Sequence, residues 1–353
     1  MIQRQLKLRL TVKQERTLNE WLWRLTGVAN WAVRKIENDG REGTWYSKME
    51  FQNLLANHGE KMEIPSHVIQ GTLRNAHESW TRCFKKLASK PRLKGKRNRL
   101  SSIPFPDPLR APKENRITVP GLGKVHFHKQ ELPEGKIKNG RIIKRANGWY
   151  LSLVIDTAPN AIPITGSGEI GIDPGFSHLL TLSNGTKIEH PRELEVSAKR
   201  LAQAQRGINR KLVGRLHAKI GNQRKDRNHK LSRTLVSENG LIVWSKDNKK
   251  GIAKKFGRSV QSSGHYQLQQ MLSQKSALSG REYVEVDSKF STQTCSTCRN
   301  HSGPRGWNGL AVRQWTCSVC GAEWDRDVNA ALNTLIAGRG LRHERSGNAT
   351  SET

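Results

Sequence analysis

The chain has 353 residues, enough for two or three domains with cores of their own, although only 35% are hydrophobic and 26% are charged. Its 61 Lys and Arg against 30 Asp and Glu leave a formal charge of +31, far more than solubility requires, and imply a polyanionic partner. No apolar run approaches the ~20 residues of a membrane span, no signal or transit peptide is visible, and nothing in the cysteine usage suggests an oxidising compartment, so the expectation is a cytoplasmic protein that binds nucleic acid and no membrane.

In chain order, Leu6 to Leu10 alternate as a half-buried strand does. Thr11 and Gln14 form a capping-box pattern ahead of a helix with Leu18, Trp21, Leu22, Leu25, Val28, Ala29, Ala32 and Ile36 on one face. Ser47 and Glu50 repeat the start signal, and Pro65-Ser66 opens a further helix with Val68, Ile69, Leu73, Ala76, Trp80, Phe84 and Leu87 aligned. Residues from about Thr11 to Leu87 are therefore expected to be a small helical domain with its tryptophans in the core rather than serving as base-stacking platforms. From Arg82 to Arg99 there are nine Lys or Arg and no acid, and such an uncompensated run predicts phosphate contacts by Lys85, Lys86, Lys90, Arg92, Lys94, Lys96, Arg97 and Arg99.

From Ile103 to Asp156 the texture changes to short strands, Ile117–Val119, Lys124–His128, Lys136–Lys138, Arg141–Arg145 and Trp149–Val154, parted by Gly, Pro and Asn. They predict a small antiparallel barrel over 1–10 and 100–157, completed by the N-terminal strand across the helical insertion. His126 and His128 share a strand face without a third ligand, which suits RNA or surface contacts better than a metal. Residues 158–168 are expected to be a linker.

Beyond it, Glu169 to Gly175 carries Asp173 off a strand into a Pro-Gly turn, and Leu179–Leu182 and Lys187–Glu189 follow as strands, the way an RNase H-like fold begins. Residues 192–233 read as one or two long basic helices with Arg210, Lys211 and Arg215 as candidate nucleic-acid contacts. The buried strand Leu241–Trp244, a helix from Tyr266 to Leu278 and the strand Glu282–Val286 complete an α/β alternation. Cys295-x-x-Cys298 and Cys317-x-x-Cys320, eighteen residues apart, have the spacing of a four-thiolate zinc site. Four sulfurs fill the coordination shell, so such a zinc is structural. A redox role for the two pairs is the rival reading, and it lacks a thioredoxin-like context. Only six residues stand between Cys320 and Asp327, which opens a helix-forming run, so the ribbon of residues 291–321 is placed to deliver a carboxylate.

Gly171-Ile172-Asp173-Pro174-Gly175, the run from Val286-Asp287 through Ser291-Thr292-Gln293-Thr294-Cys295 to Cys298, and Trp324-Asp325-Arg326-Asp327-Val328-Asn329 resemble the transposon-encoded TnpB proteins, RNA-guided nucleases related to the type V CRISPR effectors. The resemblance implies a helical recognition lobe at 11–99, a wedge barrel at 1–10 and 100–157, and a RuvC domain at 169–290 and 322–340. An inserted zinc ribbon at 291–321 and a disordered tail at 341–353 complete the arrangement. Guide RNA and a double-stranded DNA target beside a short motif are the implied partners, with one protein per RNA. Of three RuvC carboxylates, the outer two map onto Asp173 and Asp327.

The middle one departs from the pattern. Where the family has a run like Val-Val-Glu-Asp-Leu-Asn, this chain has Ile242-Val243-Trp244-Ser245-Lys246-Asp247-Asn248, which puts Ser245 in place of the glutamate. Two-metal hydrolysis draws on several carboxylates, and a neutral serine beside the Lys246 ammonium argues against them. The expectation is thus a nuclease-deficient relative, similar to the TldR repressors, that is not an enzyme and acts by occupying its target. In that reading Asp173 is a turn residue, Asp327 a helix N-cap, and magnesium is relevant only if the site still holds metal. The alternative is an active RNA-guided endonuclease, with Asp247 or Glu238 replacing the missing ligand; a third reading is a helix-turn-helix protein that binds DNA without RNA.

Overall fold

Helix α1 (Val12–Arg41) begins where its cap dictates: the Thr11 hydroxyl accepts from the Gln14 N–H, and the Gln14 side chain accepts from the Thr11 N–H. Ser47 and Glu50 repeat this reciprocal pair at α2 (Lys48–Asn53). A 3-10 turn (Ala56–His58), α3 (Gly59–Met62) and α4 (Ser66–Phe84) follow. The apolar stripe of α1, including Leu18, Trp21 and Leu25, packs with Val68, Ile69 and Leu73 of α4, each burial worth roughly 1.5–3 kcal/mol. The computed structural model describes residues 1–96, 98–157, 162–175, 177–191, 193–246, 263–309 and 311–348, and the chain divides into two units, Met1–Pro159 and Asn160–Thr353.

The first unit also holds β1 (Ile2–Arg9), β2 (Ser102–Phe105), β3 (Arg116–Val119), β4 (Gly123–Phe127), β5 (Lys136–Arg145) and β6 (Gly148–Asp156), in sheet order β2-β5-β6-β1-β4-β3. Strand β1 pairs with β6 from Ile2 to Lys7 and then with β4 at Leu8 and Arg9, so one strand links two ladders. Among the described residues β2 and β3 do not pair, and the sheet expected to close as a barrel is open. Both edges are four residues long, and Pro104 in β2 has no N–H to offer a further strand.

In the second unit a five-stranded sheet has the order β11-β10-β7-β8-β9, built from β7 (Gly168–Pro174), β8 (His178–Leu182), β9 (Lys187–Glu189), β10 (Asn239–Lys246) and β11 (Glu282–Asp287). Strands β11, β10 and β7 run parallel; β8 and β9 each turn back. Helices α5 (Glu193–Arg206), α6 (Arg210–Glu238) and α7 (His265–Leu278) connect the strands, with Leu235 and Val236 of α6 and Leu268 and Leu272 of α7 covering Ile170, Ile172, Ile242 and Trp244. The opposite face, Leu241, Val243, Val284 and Val286, receives Leu335 of α9 (Arg326–Asn348). Between β11 and α9 lie α8 (Gly306–Gly309) and the hairpin β12 (Gln314–Thr316) and β13 (Glu323–Asp325). Helix α9 runs to Asn348, well into the stretch expected to be a disordered tail.

Candidate functional site

The geometry follows from how α9 lies on the sheet. At Gly171 a Cβ would stand 2.2 Å from the Ala331 carbonyl oxygen, so only glycine lets helix and strand meet there. Farther along α9, Arg339 and Arg342 bind Glu169 at 2.6 and 3.0 Å, and Arg342 also reaches Glu282 at 3.2 Å. Glu169 and Glu282 lie at the N-terminal ends of β7 and β11, so α9 runs antiparallel to these strands and its first turn lies toward their C-terminal ends. Asp173 is at that end of β7, and Ser245 stands one step beyond the Trp244–Ile172 pair, beside it. By alternation Asp173, Ser245, Val243 and Gly171 all face α9.

The first turn of α9 is fixed by a residue that the motif spacing does not single out. Asp325 is its cap: Oδ1 accepts from the N–H groups of Asp327 (3.1 Å) and Val328 (3.0 Å), and Oδ2 pairs with Lys187 at 2.6 Å. Against the penalty of burial, Lys187 and those N–H groups hold the Asp325 carboxyl below the usual carboxylate range. Asp327 is therefore not the cap, and its carboxylate is left to bind Arg326 at 2.8 Å and Arg313 at 3.4 Å. Arg313 also donates to the Ser177 hydroxyl at 2.7 Å, tying Asp327 to the turn after β7.

Ser245 is fully buried, and among the described residues its Oγ has no hydrogen-bond partner. Lys246 alternates to the other face, where its ammonium lies 3.8 Å from Glu285, so it does not oppose a cation beside Ser245. Glu238 ends α6 at the start of β10, seven residues or about 23 Å of strand from Ser245, and cannot substitute for it. Asp247 and Arg97 lie outside the described residues. The donor set at this end of the sheet is thus Asp173, Asp327 and the neutral Ser245 oxygen, and magnesium is commonly held by one or two carboxylates together with substrate phosphates, so these residues fit it.

The ligand atoms of Cys295, Cys298, Cys317 and Cys320 all lie within 4.8 Å of one another. Cys295–Cys320 is 3.8 Å and Cys298–Cys317 3.6 Å, near the ~3.8 Å that tetrahedral Zn–S bonds of about 2.3 Å require. The Ser302 hydroxyl donates to Cys317 Sγ at 3.0 Å and, with the backbone N–H of Cys320, draws that thiol below its usual range, while, against the Ala322 N–H, burial and the neighbouring sulfurs push the Cys320 thiol up. Asn329 and Asn333, one turn apart on α9, each donate to the carbonyls of Ser291 and Thr294. Asn329 also accepts from the Ser296 N–H and Asn333 from Arg299. These bonds fix the first cysteine knuckle to the helix that carries Asp327.

Of the basic residues named from the sequence, Lys85, Lys86, Lys90, Arg92, Lys94, Lys96 and Arg99 are exposed, as are Arg210, Lys211 and Arg215 on α6. Lys90 is not uncompensated: it pairs with Glu37 at 2.6 Å and holds that carboxyl below its usual range. The tryptophans also divide. Trp21 and Trp80 are core, whereas Trp23 and Trp45 are 61% and 60% exposed, contrary to the expectation that all are buried.

Residues 159–254 match the family described as "Probable transposase", of the OrfB type found in IS605 elements, and residues 265–334 match "Cas12f1-like, TNB domain". A Streptomyces pristinaespiralis protein named "Putative RNA-guided DNA endonuclease" is 32% identical over 318 residues, covering 82% of this chain and 78% of its own. The chain belongs to the TnpB family of IS605-type elements. InsQ of Escherichia coli K12, named in the same way, is 27% identical across 86% of this chain and 81% of its own, and the CRISPR-associated endodeoxyribonuclease Cas12f1 of Sulfoacidibacillus thermotolerans is 27% identical across 62% and 58%. A solved structure of a Cas12f1-sgRNA-target DNA complex aligns with 95% of this chain and 99% of its own at 16% identity and a TM-score of 0.36, too slight a likeness to argue from. The expectation of a non-enzyme is corrected by these relatives: they are named as endonucleases, and nothing among the described residues shows inactivation. Half of the case for inactivation, the Lys246 ammonium, faces away from the site. No described helix is long and apolar enough to cross a membrane.

Proposed function

We propose that the chain is an RNA-guided DNA endonuclease. The observation that carries this reading is the 32% identity, over about four-fifths of both chains, with a relative named for that activity; the approach of Asp327 to the strand end that bears Asp173 supports it. In this reading the helical lobe and open sheet of the first unit meet a guide RNA and a short motif beside the DNA target. Residues 169–290 and 322–340 are the RuvC-like nuclease domain, and residues 291–321 a structural zinc ribbon. Guide pairing with one DNA strand reads the sequence while the protein reads backbone shape and the adjacent motif. One protein acts per RNA, and Lys85, Lys86, Arg92, Lys94, Lys96, Arg99, Arg210, Lys211 and Arg215 meet phosphates.

At the hydrolytic site Asp173 and Asp327 would hold magnesium, with Ser245 adding a neutral oxygen. When bound, the ion activates water and offsets charge on the leaving oxygen. The chain's own residues set the geometry. Asp325 takes the capping role and leaves the Asp327 carboxylate clear of the helix N–H groups, so that an ion would compete only with Arg326 and the longer Arg313 contact for its oxygens, while Asn329 and Asn333 keep the ribbon from shifting that first turn. Arg313 bridges Asp327 and Ser177 and offers a cation to a scissile phosphate.

The test is to sequence RNA that purifies with the protein. A discrete RNA species, and DNA binding that follows its sequence, is the expected result. Sequence-specific binding by RNA-free protein would replace this reading with the helix-turn-helix one.

A further inference from the structure

Trp23, Gly27 and Trp31 recur every four residues along α1 and line the same groove, with the backbones of the two tryptophans about 12 Å apart along the axis. Both tryptophans are accessible, 61% and 37% exposed, and Trp31 stacks on Phe51 behind it. Between them lies an open groove of about 740 Å³. A Cβ at Gly27 would meet nothing within 4 Å, so the groove reaches the helix backbone. Glycine in the middle of a 30-residue helix weakens that helix, and no packing requirement of the fold explains it here.

The far wall is built rather than loose. Lys94 is clamped by Asn30, whose side chain donates to its carbonyl at 2.8 Å and accepts from its N–H at 2.7 Å. The Leu100 N–H binds the Thr26 hydroxyl at 3.2 Å. This wall brings Lys94, Lys96 and Arg99 to the rim, and no acid lines the groove among the described residues. The polar groups of the floor are consumed, since Asn30 holds Lys94 and the Thr26 hydroxyl donates to the Leu22 carbonyl. Two accessible indoles on one groove, cations at the rim and floor side chains already engaged in hydrogen bonds suit sequence-tolerant stacking of unpaired bases.

We propose that the Trp23–Gly27–Trp31 slot takes one or two unpaired bases of RNA, with Lys94, Lys96 and Arg99 on the flanking phosphates. The proposal rests on the RNA-guided reading for its choice of RNA, the partner whose loops and single strands offer splayed bases. The slot itself rests on its geometry.

The decisive variant is Gly27→Leu in the full chain, which fills the slot while removing a helix-weakening glycine; Trp23→Ala and Trp23→Phe accompany it. Binding is measured with oligoadenylate RNA, its deoxy counterpart and duplex RNA over a range of salt. Gly27→Leu is expected to raise the melting temperature yet weaken oligoadenylate binding about tenfold or more, with an unchanged salt slope because every cation at the rim is retained. Trp23→Ala should lose as much, Trp23→Phe should recover most of it, and duplex RNA binding should not move. Unchanged oligoadenylate affinity in Gly27→Leu, an equal loss with duplex, or a loss confined to DNA would overturn the proposal. So would a change in the sedimentation of RNA-free protein, which would assign the face to a second copy of the chain. If wild-type protein binds no RNA, the RNA-guided reading itself fails, a result separable from failure of the slot.

Discussion

At the scale of single residues, Asp325 and Asp327 stand two positions apart in one sequence motif, yet the backbone gives them different tasks. The spacing from the ribbon points to Asp327 and gives no sign that Asp325 takes the cap, because which carboxylate turns toward the helix N–H groups depends on the β13 exit angle. Since the Asp325 carboxyl is held low in the fold, the stability it contributes is present above its unfolded pKa near ~4 and lost as pH falls through the lower folded value. Asp325→Asn should thus shrink the stability loss on acidification, read by thermal melts across the acid range, besides lowering stability by up to about 1 kcal/mol near neutrality through the lost Lys187 pair, since Asn caps a helix as well as Asp does. Ser245 poses the sharper question. With a neutral oxygen beside Asp173, Ser245→Glu should lower the magnesium concentration needed for half-maximal cleavage; an unchanged requirement would place Ser245 outside the metal's reach. That Lys246 faces away from α9 is legible from strand alternation alone. That Glu37 compensates Lys90 is not, because the two lie 53 residues apart.

At the scale of elements, the helices are the most legible part because their start signals are local: Thr11 with Gln14, and Ser47 with Glu50, announce α1 and α2 before any tertiary contact exists. Strands read less evenly. Pro104 hides β2, which is tolerated only because it lies on an edge. Asn139-Gly140 makes β5 look like two strands, whereas the chain continues through a register shift between Ile137 and Asn139. The contact that sets the candidate site, α9 on β7, turns on Gly171, whose demand for a bare backbone comes from a helix 160 residues later and leaves no local trace. Gly171→Ala should therefore cost about 2–4 kcal/mol, through displacement of α9, and suppress cleavage more than binding. Unaltered melting in that variant would mean the helix can shift at no cost. Asn333→Leu, which removes one of the two amide donors to the Ser291 and Thr294 carbonyls and leaves Arg299 without its acceptor, tests the clamp on the ribbon in the same way, with an expected loss of about 1 kcal/mol.

At the scale of the whole molecule, two global properties follow from charge and metal. If the four cysteines hold zinc, binding energy on the order of 10 kcal/mol is folding energy for the ribbon. Cys317→Ser or chelation should then disorder the C-terminal region, seen as new protease sensitivity near residues 291–329; full protection without metal would show that the ribbon folds on protein contacts alone. The +31 charge makes binding salt-dependent. Neutralising Lys85, Lys86, Arg92 and Lys94 together should weaken binding about equally across sequences and flatten the salt dependence by roughly 0.7–0.9 for each phosphate no longer neutralised.

The central claim is that Asp173 and Asp327 serve a working hydrolytic site. Its most direct measurement incubates RNA-loaded protein with magnesium and a DNA duplex matching the guide beside its motif, in parallel with Asp173→Ala and Asp327→Ala. Guide-dependent breaks that fall about 100-fold or more in both variants, while the gel shift of the duplex persists, are the predicted result. A matched duplex that wild-type protein shifts but leaves uncut would contradict it.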